Sequence, residues 1–369
     1  MKMQKNKFSL ALVIVLAAVF WLPDLAQALQ EHRNDPSTLD GYDLVARGKM
    51  SQARRIRPDQ IARMDNNGEI LIACLKAKTA DELKSSGIEF LQNQLELLVD
   101  WDLLEYDRKN KTYRSAIHVY GSEKASIIRQ HVSMAVEQLA DMLNTDLVLL
   151  KSHLTKLDRG KNLFAILYAY VLHSFTMEQL GEEIYRKPQL TVEHPFWNGY
   201  AWAIYPIRKF NVGSIFIPAK ENRFFFVSAT TVPKFNFQKM SSFVKDVSMD
   251  YRVGDPELKK FLLDFSIIDE GGKLTIPVFE SDWSTKLENM AKKVYAITAE
   301  LADSKEMREM LGMETLAQTA MFIHYELRYA FLHYLLEKGT IQAPIDFDNA
   351  ANNSPSDVRN LIFIMKTEE

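Results

Sequence analysis

The chain has 369 residues, 47% of them apolar and 25% charged, with 45 basic against 48 acidic side chains and a net charge of −3. That composition suits one large or two ordinary folded domains and excludes collagen, a low-complexity tail and a many-pass membrane protein. The near balance of charge gives no general attraction to nucleic acid or anionic lipid, and with 14 Gly and 12 Pro there are few breaks, so long helices are expected.

Lys2, Lys5 and Lys7 precede an apolar run from Phe8 to Leu22, shorter than the roughly 20 residues that span a bilayer and suited to the core of an export signal. Pro23 and Asp24 end the run. Ala26-Gln27-Ala28 then supplies the small-x-small site of a signal peptidase, so residues 1–28 read as a signal peptide cleaved after Ala28. The expected location is exported, periplasmic or extracellular, with a membrane contact only through an uncleaved signal. Cleavage removes three Lys and one Asp and takes the net charge from −3 to −5. Residues 29–56 read as a flexible N-terminal segment. Cys74 is the only cysteine, so no intrachain disulfide can form, and its place in the apolar run Ile70 to Leu75 marks a buried, inert thiol.

From Arg57 to Tyr120 the pattern gives a helix over Glu69–Lys78, then Thr79-Ala80-Asp81-Glu82 as a capping box opening a short helix. Ser85-Ser86-Gly87 is a turn. A third helix runs from Ile88 to Trp101, with Ile88, Leu91, Leu95 and Leu98 on one face. Strands at Asp102–Tyr106 and Thr112–Tyr120 flank a polar tip at Arg108-Lys109-Asn110-Lys111. Three helices and a hairpin in this order resemble a winged helix-turn-helix domain, and residues 57–160 are taken as such a unit with its long following helix. The resemblance implies DNA binding through the third helix. The charges there argue against it: Glu89, Glu96, Asp100, Asp102, Glu105 and Asp107 lie between Ser85 and Asp107 without one Lys or Arg, and carboxylates repel a phosphate backbone.

Residues 161–234 combine a very apolar helix, Leu163–Gly181, with an aromatic β-rich insert whose strands fall at Tyr200–Tyr205, Ser214–Ile217 and Arg223–Ser228. Residues 235–340 read as a second winged-helix-like unit. Leu258–Leu263 stands for its third helix and Ile267-Ile268-Asp269 for Leu103-Leu104-Glu105, while Met290, Val294 and Ile297 match Ile128, Val132 and Ala135. Either a divergent duplication or a chance alignment of two hairpin-then-helix segments gives this match. Residues 341–369 read as a C-terminal tail.

Two groups of residues carry the candidate chemistry. Glu326, His333 and Glu337 lie near one face of the helix Leu316–Lys338, and Glu326 and His333 with His173 could ligate zinc, although the spacing is not His-Glu-x-x-His. His194, Trp197, Tyr200 and Trp202 combine a titratable ring with aromatics, as a cleft for peptide or sugar does. No phosphate-loop, nucleophile-elbow or Cys-x-x-Cys motif is present. The reading is a mostly helical α+β protein of winged-helix-like units with a small β-rich insert, exported and non-catalytic, whose partner is another protein or peptide; no nucleic acid and no cofactor are expected. One alternative is a metal-dependent hydrolase using zinc. A second is a membrane-anchored DNA-binding regulator.

Overall fold

The structure, a computed structural model, describes residues 37–51, 56–180, 189–206, 208, 212–218, 222–232, 236, 239–240, 243–244, 255–313 and 315–366. The signal peptide expected at 1–28 lies outside the described residues. They form a mostly helical α+β protein. They fall into two compact units, one drawn from Met1–Ile128 and Lys187–Ile207, the other from Arg129–Arg186 and Arg208–Glu369, so each is discontinuous and neither coincides with the linear segments expected above. No helix among the described residues is long and apolar enough to cross a membrane.

In the first unit a turn at Leu39–Gly41 leads into β1 (Asp43–Met50). Then follow α1 (Pro58–Ala62), α2 (Asn67–Ala73), β2 (Lys78–Thr79), α3 (Ala80–Ser85), α4 (Gln92–Asp100), β3 (Leu104–Asp107), β4 (Thr112–Ser115), β5 (His118–Tyr120), the start of α5 (Ser122–Lys156) and, later in the chain, β6 (Trp197–Ile204). The strands make two sheets, ordered β2-β4-β3 and β1-β6-β5. The capping box forms: Thr79 Oγ1 accepts from the Glu82 amide at 3.2 Å and Glu82 Oε2 accepts from the Thr79 amide at 2.7 Å. Those bonds from Thr79 hold the Glu82 carboxyl below its usual range. Gly87, at φ +83°, supplies the left-handed residue that ends the next turn.

Three expectations are corrected here. The third helix begins at Gln92 instead of Ile88, because Leu91 takes an extended backbone (φ −93°, ψ 147°) and caps the helix; its side chain is 70% exposed, while Leu95 and Leu98 are fully buried. The strand expected over Thr112–Tyr120 splits at Ser115, and His118–Tyr120 pairs in parallel with β6. The segment 29–56, expected to be flexible, contains β1, which pairs along its whole length with β6 from Asp43↔Ile204 to Met50↔Trp197. Within that ladder Gly48 lies opposite Gly199 so closely that a Cβ on Gly199 would stand 2.0 Å from the Arg47 carbonyl oxygen. No side chain fits there.

The core of this unit joins the two sheets to the helices through Ile70, Leu71, Leu83, Leu95, Leu98, Leu103, Trp197 and Ala203, each fully buried leucine or isoleucine contributing about 1.5–3 kcal/mol. Cys74 belongs to it. Burial pushes its thiol up from 9.0 to about 11, with Lys78 opposing. The native protein is therefore expected to resist alkylation at neutral pH and to react once denatured, as mass spectrometry of the modified chain will show; rapid native labelling would contradict this. Because the folded thiol keeps its proton to about 11 and the unfolded one releases it near 9.0, stability falls as pH rises through that window.

The second unit continues α5 and adds α6 (Leu163–Ile166), a π-helical turn pair at Leu167–Ser174, α7 (Phe175–Gln179), α8 (Pro256–Asp264), α9 (Ser281–Asp303), α10 (Lys305–Leu311) and α11 (Leu316–Glu337). Its sheet is ordered β7 (Val212–Pro218), β8 (Asn222–Ala229), β10 (Ile362–Lys366), β9 (Val278–Phe279). The tail expected at 341–369 thus contains an inner strand, antiparallel to β8 and parallel to β9. The run Leu361 to Met365 is fully or almost fully buried, and strands covered on both faces read as continuous apolar runs of this kind. Residues of α11 from Thr319 to Tyr329 are all buried, so this stretch of the helix is central, with no solvated face, while His333 and Glu337 near its end are exposed.

The two stretches aligned by sequence share backbone events beyond a hairpin and a helix. Asp102 and Ser266 both take φ +52° directly after a helix, and the next amide closes the same bond in each, Leu103 to Leu98 O at 2.9 Å and Ile267 to Leu262 O at 2.8 Å. Both then have a short parallel strand, β5 or β9, leading into a long helix. The second stretch keeps only one bridge, Ile268↔Leu274, where the first has a full hairpin. The same left-handed closure also ends helices at Gly87, Asp158, Gly312 and Gly339, as it does at a large share of helix ends, so it fits duplication and chance alignment equally.

Candidate functional site

In the first unit the outward residues of α4 are Gln92, Asn93, Glu96 and Asp100, with Glu89 and Glu105 exposed on its flanks. Leu95 and Leu98 turn the other way into the core, so the amphipathic spacing that buries one face fixes the acidic one outside. The hairpin tip is built by Asp107, whose Oδ1 accepts from the amides of Lys109 at 2.8 Å and Asn110 at 3.2 Å, and bonds from Asn110 and Lys109 hold its carboxyl below the usual range. Arg108, Lys109 and Lys111 stand exposed around that turn.

Asp102 is set apart from the ridge. Its left-handed backbone, tolerated at aspartate, turns the half-buried carboxylate to His194 Nδ1 at 2.9 Å. Burial lifts this carboxyl above its usual range, outweighing the opposing pull of His194. Of the other residues expected to line a cleft, Trp197 and Trp202 are each 2% exposed and Tyr200 is half-buried opposite Arg47. Phe196 stacks on Trp101 at 5.6 Å. These aromatics close the core, and His194 is the member with a substantial surface.

In the second unit a buried polar cluster surrounds α11. The Glu326 carboxylate, 1% exposed, is paired with Arg208 and lies 3.5 Å from Arg129 Nε. Arg328 lies over the rings of Tyr168 at 4.6 Å and Tyr329 at 5.2 Å, and both tyrosine hydroxyls donate to the Val212 carbonyl. His173 is stacked nearly parallel with His324 at 6.4 Å. The π-helical stretch places His173 and Tyr168, with Ser174 Oγ donating to Ala169 O at 2.7 Å and Thr176 Oγ1 to Val171 O at 2.8 Å, each five residues back. Departures of this sort from the α ladder gather at functional sites.

The three residues named as zinc ligands are not brought together as a triad. His333 lies half-exposed beside Glu337, Nδ1 to Oε2 3.4 Å, whereas Glu326 is engaged by arginines and His173 faces His324. Among the described residues no group of three or more His, Cys, Asp or Glu could hold a metal ion. The arginines that Glu326 meets were missed by sequence reasoning. The visible signal was Glu326 and Arg328 inside an otherwise apolar helix, since buried charges require partners.

No protein-family model, characterised protein or solved structure matches the chain.

Proposed function

We propose that the chain is an exported, non-catalytic binding protein whose first unit is a winged-helix-like module turned to protein recognition. Support for the module is the order α2-β2-α3-α4-β3-β4 with β4 in the middle of the small sheet. The observation that carries the reading is the outward face of α4 with its flanks, where Glu89, Glu96, Asp100 and Glu105 are exposed and no Lys or Arg occurs from Ser85 to Asp107. Such a surface repels phosphates and attracts cations. Leu91, 70% exposed at the start of α4, adds an apolar contact beside the charges. The partner is a basic, partly apolar segment of another protein.

A fluorescent peptide of alternating lysine and leucine is the probe. Saturable binding is expected at low salt, weakening as salt rises. Converting Glu96→Lys and Asp100→Lys together should weaken it about tenfold, since an exposed charge pair is worth about 0.2–1 kcal/mol and reversal replaces attraction by repulsion. No binding, or equal binding to both proteins, would overturn the proposal.

A further inference from the structure

The second unit contains a cleft of about 420 Å³ between the end of α5, the turn that follows it and the helical turn at Pro355–Leu361, a volume within the range of small-molecule sites. Its walls carry Lys151, Arg159, Lys161 and Arg359 against Asp158 and Asp357. The two carboxylates offset only part of these four cations, which leaves the cleft with an excess of positive charge. Asp158, fully exposed, is 3.8 Å from Arg159. Asp357, whose Oδ2 accepts from the Ser354 amide at 2.9 Å and hydroxyl at 2.7 Å, also feels the charges of Lys161 and Arg359.

The cations are held in place by Asn162. This fully buried residue donates from Nδ2 to the carbonyls of Arg359 at 2.8 Å and Ile362 at 2.9 Å, tying the turn after α5 to the C-terminal segment. As a result Arg159, only 20% exposed, lies close enough to Arg359 for mutual repulsion. Burial first and Arg359 second push the Arg159 guanidinium below its usual range, with Asp158 opposing. Lys151 donates to the Thr340 carbonyl at 2.8 Å, while the Lys161 and Arg359 side chains make no hydrogen bond among the described residues. Gly160 and Lys161 also open a helical run that continues through α6 and α7 to Gln179. Amides at such a start lack intrahelical acceptors and favour anions. Around Gly160 a Cβ would meet nothing within 4 Å.

A cleft that gathers two arginines and two lysines against two carboxylates favours an anion, and guanidinium forks match the oxygens of phosphate. We propose that this cleft binds a small phosphate monoester, its phosphate held by Arg159, Arg359 and Lys161 and its organic part filling the remaining volume. The site is independent of the partner face on the first unit.

Calorimetric titration of the full protein with inorganic phosphate and with glycerol 3-phosphate, each against chloride of equal ionic strength, tests this. Both should bind saturably at one common site, the ester more tightly. Arg159→Gln and Arg359→Gln should each weaken binding at least tenfold, and Lys305→Gln, an exposed cation elsewhere in the unit, should leave it unchanged. Thermal unfolding separates loss of a site from loss of fold: without phosphate Arg159→Gln should melt no lower than wild type, because it relieves repulsion, and phosphate should raise the melting point of the wild type alone. Absence of saturable binding beyond chloride, binding indifferent to both arginine substitutions, or an Arg159→Gln protein that melts well below wild type without phosphate would overturn the proposal.

Discussion

Glu326→Leu is expected to destabilise the second unit by about 3–5 kcal/mol, the cost of breaking one partner out of a buried ionic cluster. Glu326 is 1% exposed within Thr319–Tyr329, a stretch of α11 buried on every side, and its carboxylate is the group that both Arg208 and Arg129 approach. Its loss leaves positive charge in a low-dielectric setting. The Tyr329 ring, 5.4 Å from the Arg208 guanidinium, offers that charge its face, which is weaker compensation than a carboxylate. Changing Arg208→Met together with Glu326→Leu should restore part of the loss, because a charge pair replaced as a pair costs far less than one broken. Hydrogen exchange of the α11 amides provides the measurement. Faster exchange in the single variant than in the double supports a charge-coupled core; equal exchange in wild type and Glu326→Leu contradicts it.

Phe363→Ala should cost a similar amount, about 3–5 kcal/mol, as large-to-small changes at packed aromatic positions do. Phe363 is fully buried, stacked parallel on Phe225 at 4.8 Å and edge-on to Phe279 at 6.3 Å. It therefore joins β8 to β9 across β10, and its truncation loosens both sides of the sheet. Phe216, 47% exposed on β7, is the control, and its change to Ala should cost less than about 1 kcal/mol. In a unit of this size each kcal/mol lowers the midpoint by about 2–4 °C, so calorimetry should find Phe363→Ala roughly 6–20 °C below wild type. A midpoint within experimental error of wild type would show that β10 is dispensable to the sheet.

What could be read in the sequence was what depends on near neighbours. The Thr79–Glu82 box, the inward pair Leu95 and Leu98, the polar hairpin tip after Asp107 and the buried stripe Met290, Val294, Ile297 are each defined by spacings of three or four residues or by one turn. β1 was hidden because Ala46 to Met50 are partly or fully exposed and its partner β6 comes from far along the chain. β10 is an apolar run that was legible in itself, but five residues at the end of a chain do not distinguish a strand from a tail without the sheet that receives them. The helical wheel placed Glu326 and His333 on one side of α11 correctly as an angle. It omits depth along the axis, and over those two turns the helix passes from a fully buried carboxylate to a half-exposed imidazole. Arg159 and Arg359 stand in one cleft only because Asn162 binds their two segments together; no local pattern encodes that meeting.

The acidity of α4 was legible because it needs only composition, whereas its outward direction needed the fold. The most direct test of the account is fluorescence anisotropy of the purified protein at low salt, titrated side by side against a labelled duplex oligonucleotide and the labelled lysine-leucine peptide. The account predicts saturable, salt-sensitive binding of the peptide that Glu96→Lys with Asp100→Lys weakens, and no binding of the duplex. Tight duplex binding that requires α4, with the peptide left unbound, would contradict it.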